Sequence, residues 1–186
     1  MSGFWILIGI VPGAGIAFIL LRAAMLPNDF RVSRSVRVQA PRERIFPLIN
    51  DMRSFNEWNP FAKMDPSTKT AYRGPDSGPK AAFDWDGTGK AGKGSLEIVD
   101  VNEPACVGMK LDILKPMEGH NHVVFALQAT GDGTDVSWTM TGPYPYLHRI
   151  FGTIFNTDKM IGRTFESGLA DLKRMAEGPS RPEKSG

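Results

Sequence analysis

One cysteine, Cys106, is all that the 186 residues contain, so no intrachain disulfide can support the fold. Lacking His and acid companions in a recognisable motif, it reads as a small buried hydrophobe and not as a nucleophile. Histidine is nearly as scarce, at three. His120 and His122 share a strand face by their spacing of two, but no third ligand follows at a recognisable interval, so no metal site is expected. An excess of one charge is missing too. The 22 Lys and Arg balance 20 Asp and Glu to leave a net charge of +2. No basic stretch is interleaved with aromatics, which argues against a nucleic-acid partner. No internal repeat is present. Paired acids are absent as well: Asp84, Asp86 and Glu166 are the acids considered for acid–base work, and they form no recognisable constellation. No catalytic residue and no cofactor are therefore assigned.

A phosphate-binding loop is nearly present. Gly87-Thr88-Gly89-Lys90-Ala91-Gly92-Lys93 reproduces the glycine and lysine spacing. The next residue is Gly94, where the motif needs a hydroxyl for magnesium, and the context is strand-to-strand instead of strand-to-helix. A flexible basic hairpin is the better reading, with Lys80, Lys90 and Lys93 placed to touch anionic headgroups.

Long apolar runs are absent after residue 21, which makes the one before it conspicuous. Phe4 to Leu21 is eighteen residues without a charge. As a helix it would reach about 27 Å, against a hydrocarbon core of about 30 Å. A cleaved signal peptide wants a basic start, and Met1-Ser2-Gly3 has none; Arg22-Ala23-Ala24 is a weak cleavage site. A buried core helix would show a polar stripe, and this run has none. The expectation is a retained single-pass transmembrane helix. Arg22, Arg31, Arg34, Arg37, Arg42 and Arg44 follow it and no cation precedes it, which predicts an outside N-terminus and a cytoplasmic domain. Pro12 is tolerable in lipid. Gly9, Gly13 and Ala17 repeat at spacing four, a candidate face for a weak homodimer. The expected organisation is an anchor and flank at 1–26, a linker at 27–29, a domain at 30–177 and a disordered tail at 178–186.

Within the domain, Phe30 to Val38 alternates with period two, as a half-buried strand does. Ala40-Pro41 opens a helix with Ile45, Phe46, Leu48 and Ile49 on its apolar face, and Pro47 should distort or shorten it. Phe55 to Phe61 reads as a second helical turn stopped before Pro60. Six strands are predicted next, over Thr70–Arg73, Ala81–Asp86, Leu96–Val101, Cys106–Ile113, His122–Gln128 and Thr134–Thr141. The short turns between them require antiparallel neighbours. Leu147, Ile150, Phe151, Ile154, Phe155, Ile161, Phe165, Leu169, Leu172 and Met175 follow helical spacing, with a break allowed at Asn156-Thr157-Asp158. The fold class is α+β: a curved antiparallel sheet burying its apolar face under a long C-terminal helix.

Several words in this order resemble the SRPBCC superfamily, also called START-like or Bet v 1-like, and its polyketide cyclase/dehydrase branch. They are Ser35-Val36-Arg37-Val38-Gln39-Ala40-Pro41 leading to Ile45-Phe46, Asn50-Asp51, and Trp58-Asn59-Pro60-Phe61. Further on come Leu114-Lys115-Pro116-Met117-Glu118, Ser137 to Pro143, Asp158 to Gly162, and Phe165 to Leu169. The resemblance covers about residues 30–176. It implies the helix-grip architecture, in which the sheet wraps around the long helix and leaves an apolar cavity. The residues expected to line it are Trp58, Phe61, Phe83, Trp85, Met109, Leu111, Phe125, Trp138, Met140, Phe151, Phe155 and Phe165. Met repacks around irregular apolar shapes and Trp offers a donor inside an apolar wall; the alternative is an ordinary packed core. The expected partner is a hydrophobic small molecule or a lipid, met at the membrane through residues 4–21. The alternatives are a cyclase/dehydratase-type enzyme using the same cavity, and an interaction module without a ligand.

Overall fold

The computed structural model describes residue 15 and residues 17–88, 92–145, 149–150 and 157–179. Among the described residues, seven strands form one antiparallel sheet. They are β1 (Asp29–Val38), β2 (Lys69–Arg73), β3 (Ala82–Asp86), β4 (Lys93–Asn102), β5 (Cys106–Lys115), β6 (Gly119–Thr130) and β7 (Gly133–Pro143). Their order across the sheet is β1-β7-β6-β5-β4-β3-β2, so the first two strands in sequence lie at opposite edges. From β2 onward each strand pairs with the next, and β1 closes the far side on β7 with Phe30 opposite Gly142 and Val38 opposite Thr134.

Two short helices bridge β1 and β2: α1 (Arg42–Asn50) and α2 (Met52–Trp58). α1 continues three residues beyond Pro47, although the proline lacks the N–H that a helix interior uses. Ile45, Phe46 and Ile49 bury its inner face. Asp51 separates the two helices and caps α2, its Oδ1 accepting the Ser54 N–H at 2.7 Å. Buried Met52, Phe55 and Trp58 form the inward side of α2. The long helix α3 (Thr157–Glu177) buries Phe165, Leu169, Leu172 and Ala176 at helical spacing. Of the C-terminal periodicity, Leu147, Phe151, Ile154 and Phe155 lie outside the described residues.

Two contacts set the position of α3. On β1 the inward phase is Phe30, Val32, Arg34, Val36 and Val38, and Arg34 reaches the helix with its guanidinium. Its Nη2 donates to Asp158 Oδ2 at 2.9 Å and its Nε to Glu166 Oε1 at 2.9 Å. Gly162 lies one turn from each acid, and a Cβ there would collide with the guanidinium. Glu166 is thereby a structural acid on an exposed edge. The second contact is Gly168. A Cβ at this position would stand 2.8 Å from Pro60 Cδ and 2.9 Å from the Trp138 ring.

The expected transmembrane helix is corrected by the structure: among the described residues no helix is long and apolar enough to cross a membrane. Positions 4–14 and 16 lie outside the described residues, Gly9 and Gly13 of the candidate dimer face among them, while Ala17 is exposed. The described helical stretch up to Met25 includes Arg22. It then turns onto the domain. Ala23 is buried, Arg149 Nη1 donates to the Leu26 carbonyl at 3.0 Å, and the Tyr144 N–H donates to the Asn28 carbonyl at 2.6 Å. The single-pass topology with a cytoplasmic domain was built on that span and falls with it.

Charged groups occupy the outer face and the hairpins. The β3–β4 hairpin is closed by the Gly87 N–H donating to the Gly92 carbonyl, with Gly92 at φ +63°. This strand-to-strand setting lacks the helix N-terminus that a phosphate loop uses. His120 and His122 are both exposed, and no metal-binding group occurs among the described residues. His120 Nδ1 lies 2.7 Å from Asp112 Oδ1, while its Nε2 lies 3.4 Å from Glu118. The hydrogen bond to Asp112 raises the imidazole above its ordinary 6.5. At Asp112 burial pushes upward, but hydrogen bonds from Lys110 and His120 prevail and hold the carboxyl below its ordinary range. Cys106 is half-buried, and burial pushes its thiol up.

Two outcomes follow from this packing. Gly168→Ala should destabilise the protein by about 1–3 kcal/mol, read from the urea midpoint, because the methyl meets two rigid rings; an exposed helix position would gain up to about 1 kcal/mol from the same change. The raised pKa of His120 makes its contribution to stability complete below pH 6.5 and lost as pH rises through the folded value. NMR titration should place the His120 midpoint above 6.5, and Asp112→Asn should bring it back down.

Candidate functional site

An apolar cavity of about 350 Å³ lies between the concave sheet face, α2, the loop after it and α3. Its sheet wall consists of inward residues of neighbouring strands: Phe83 and Trp85 on β3, Leu96 on β4, Leu111 and Ile113 on β5, Val123 on β6, Trp138 and Met140 on β7. Cross-strand register brings them together, because Phe83 faces Leu96, Leu96 faces Leu111 and Val123 faces Met140. Trp85 faces Gly94, where a Cβ would stand 2.4 Å from the indole ring. The missing side chain lets the tryptophan lie across β4.

The helical wall is Phe55, Ile161 and Phe165. Phe165 stacks on Trp138 with ring centroids 4.1 Å apart and planes 6° from parallel. Trp58 and Phe61 meet Trp138 edge-on at 5.7 and 6.3 Å, and Phe125 lies behind it at 5.0 Å. The Trp138 Nε1 is shielded from solvent without a hydrogen-bond partner. Trp58 Nε1 is satisfied, donating to the Leu48 carbonyl at 2.8 Å.

The mouth is formed by the segment between α2 and β2, together with the end of β5. Asn59 is 5% exposed. Its Oδ1 accepts the Phe61 N–H at 3.1 Å and its Nδ2 donates to Asn56 Oδ1 at 3.1 Å. Asn56 in turn donates to the Tyr72 hydroxyl on β2 at 3.2 Å. Lys63 ties the same segment to α3 by donating to Asp171 Oδ2 at 2.6 Å, and this bond holds the Asp171 carboxyl below its ordinary range. Phe61, 42% exposed, and Met64, 58% exposed, stand at the rim.

Of the residues expected from sequence, Phe61, Phe83, Trp85, Leu111, Trp138, Met140 and Phe165 line the cavity. Trp58, Met109 and Phe125 are not among the lining residues; they are packed at 0% exposure in the core behind the wall. Phe151 and Phe155 lie outside the described residues. The alternation reading missed Asn56, Asn59, Thr68 and Lys115, all of which line it. Lys115 continues the inward phase of Leu111 and Ile113, so strand parity was the signal that could have found it. Asn59 and Thr68 sit on irregular backbone, where no periodicity applies.

Comparison with known proteins fits this geometry. No curated protein matches the chain in sequence. A solved structure from Chromobacterium violaceum matches with a TM-score of 0.57 at 14% identity, covering 83% of this chain and 100% of that one. The Aha1 dimer from Colwellia psychrerythraea matches with a TM-score of 0.57 at 12% identity, over 80% of this chain and 96% of that one. DynU16, a protein in the dynemicin biosynthetic locus, matches with a TM-score of 0.56 at 15% identity, over 79% of this chain and 47% of that one. At these identities the likeness is one of fold. Residues 29–177 match the family described as polyketide cyclase/dehydrase and lipid transport, and with its helix-grip fold the chain belongs to that family, within the SRPBCC superfamily.

Proposed function

We propose that the domain binds a hydrophobic small molecule or lipid in the cavity between sheet and helix. The carrying observation is the cavity of about 350 Å³, walled by aromatic and aliphatic side chains drawn from five strands and two helices. That volume stands at the lower end of ligand pockets, about 300–1,000 Å³. A module whose interior is only core would fill this space, since protein interiors are close-packed.

Binding is favoured over turnover by the chemistry of the wall. General acid–base catalysis needs a carboxyl or imidazole near the reacting atoms. The described lining residues include no Asp, Glu or His. Asp84 and Asp86 are engaged with Arg73 and Lys93, and Glu166 with Arg34.

Titration with single-chain and aromatic hydrophobes, followed by the fluorescence of Trp85 and Trp138 and by native mass spectrometry, tests this reading. Uptake of one molecule per chain is expected. Leu111→Trp, which fills the cavity from β5, should weaken uptake at least about tenfold, or about 1.4 kcal/mol, while the thermal midpoint stays close to that of the parent. An absence of uptake across such a panel sinks the proposal.

A further inference from the structure

Lys115 is the only charged residue among the described lining residues. It lies at the end of β5, exposed, two residues beyond the inward-facing Ile113. A register shift between Lys93 and Gly94 sets it opposite Lys93. Register then runs from Lys93 to Asp86 on β3 and from Asp86 to Lys69 on β2. Three lysines and one aspartate thus share this end of the sheet. The aspartate is already engaged, since Lys93 Nζ donates to Asp86 Oδ2 at 2.9 Å. Asp86 feels all three cations: the Lys93 hydrogen bond holds its carboxyl below the ordinary range, with Lys115 and Lys69 adding to the effect. The amides of the mouth segment are bonded to each other or to Tyr72 and Phe61. Besides the unpartnered Trp138 Nε1 and Thr68 Oγ1 in its wall, what this apolar space offers a guest is therefore one charged group, a cation at its rim.

Size narrows the guest further. The cavity of about 350 Å³ stands near the lower end of the range of about 300–1,000 Å³ for ligand pockets, which favours one chain or one ring over a two-chain lipid.

Resting on the binding reading above, we infer that the cavity takes a single-chain or single-ring amphiphile with one terminal anionic group, its apolar body against Trp138 and Phe165 and its carboxylate or phosphate at Lys115. With Lys93 paired to Asp86, Lys69 leaves one further net positive charge at this end of the sheet, and the exposure of the site makes its attraction sensitive to salt.

Isothermal titration with dodecanoate, decyl phosphate and dodecan-1-ol, on the parent, Lys115→Met and Lys115→Arg, tests this assignment. Methionine keeps an apolar stem without the charge, so lost packing and lost charge separate. The two anions should bind about tenfold more tightly than the alcohol, Lys115→Met should remove that advantage, and Lys115→Arg should keep it. Raising ionic strength from about 0.01 M to about 1 M, which shortens the screening length from about 30 Å to about 3 Å, should weaken the anions and spare the alcohol. Thermal midpoints of both variants serve as the folding control. Equal affinity for alcohol and anion, unmoved by Lys115→Met, overturns the anionic assignment and leaves the hydrophobic cavity standing. No binding of any of the three overturns both. Extraction of diacyl phosphatidic acid from vesicles in preference to dodecanoate overturns the size limit and moves the source of the anion to a lipid headgroup.

Discussion

The approach of α3 to the sheet at Gly168 is the constraint on which the rest of the architecture depends. A single hydrogen in place of a side chain lets the helix come down on Pro60 and Trp138, and one turn earlier Phe165 stacks on the same indole. Such aromatic pairs contribute about 0.5–1.5 kcal/mol beyond their buried area. Trp138 also meets Trp58, Phe61 and Phe125. Helix, sheet, α2 and the mouth segment therefore converge on one side chain. The void lies beside this contact because a straight helix can touch a curved sheet closely along only part of its length.

Apolar and charged groups are sorted by strand phase. On β3, Phe83 and Trp85 face the cavity while Asp84 and Asp86 engage Arg73 and Lys93. On β5, Leu111 and Ile113 face inward while Lys110 and Asp112 pair with each other. These exposed pairs each contribute about 0–1 kcal/mol, so they define the outer surface more than they stabilise it. Arg34 breaks the sorting. It occupies an inward phase position and is accommodated because α3 presents Asp158, Gly162 and Glu166 along one line.

The strands were legible in the sequence because alternation is a local property. Val123, Phe125 and Leu127, or Val136, Trp138 and Met140, announce their shared face without reference to any partner. Alternation cannot say whether two inward faces touch. Met109 and Phe125 carry the same signature as Leu111 and Met140, yet the first two are sealed at 0% exposure and the second two border the void. That difference is set by where α2 plugs the sheet, a long-range fact. The apolar run at Phe4 to Leu21 shows the opposite error. An uncharged run registers composition alone, whereas the described end of this one, at 17–25, packs onto the domain through Ala23, Leu26 and Asn28.

The strand order carries a mechanical consequence. β1, at one edge, is locked to α3 by Arg34, while β2, at the other, has all five residues exposed and is tied to the mouth by the Tyr72–Asn56 hydrogen bond. The cavity lies toward the β2 side. The molecule is therefore clamped to its long helix along one seam, while at the other Tyr72 makes the contacts to α2, like a book held at its spine. Under the binding reading proposed above, a guest that enlarged the cavity would press against the Tyr72 contacts at the β2 edge and leave the aromatic spine undisturbed. On that reading the give of this edge, as well as the resting volume, would set the range of guest sizes.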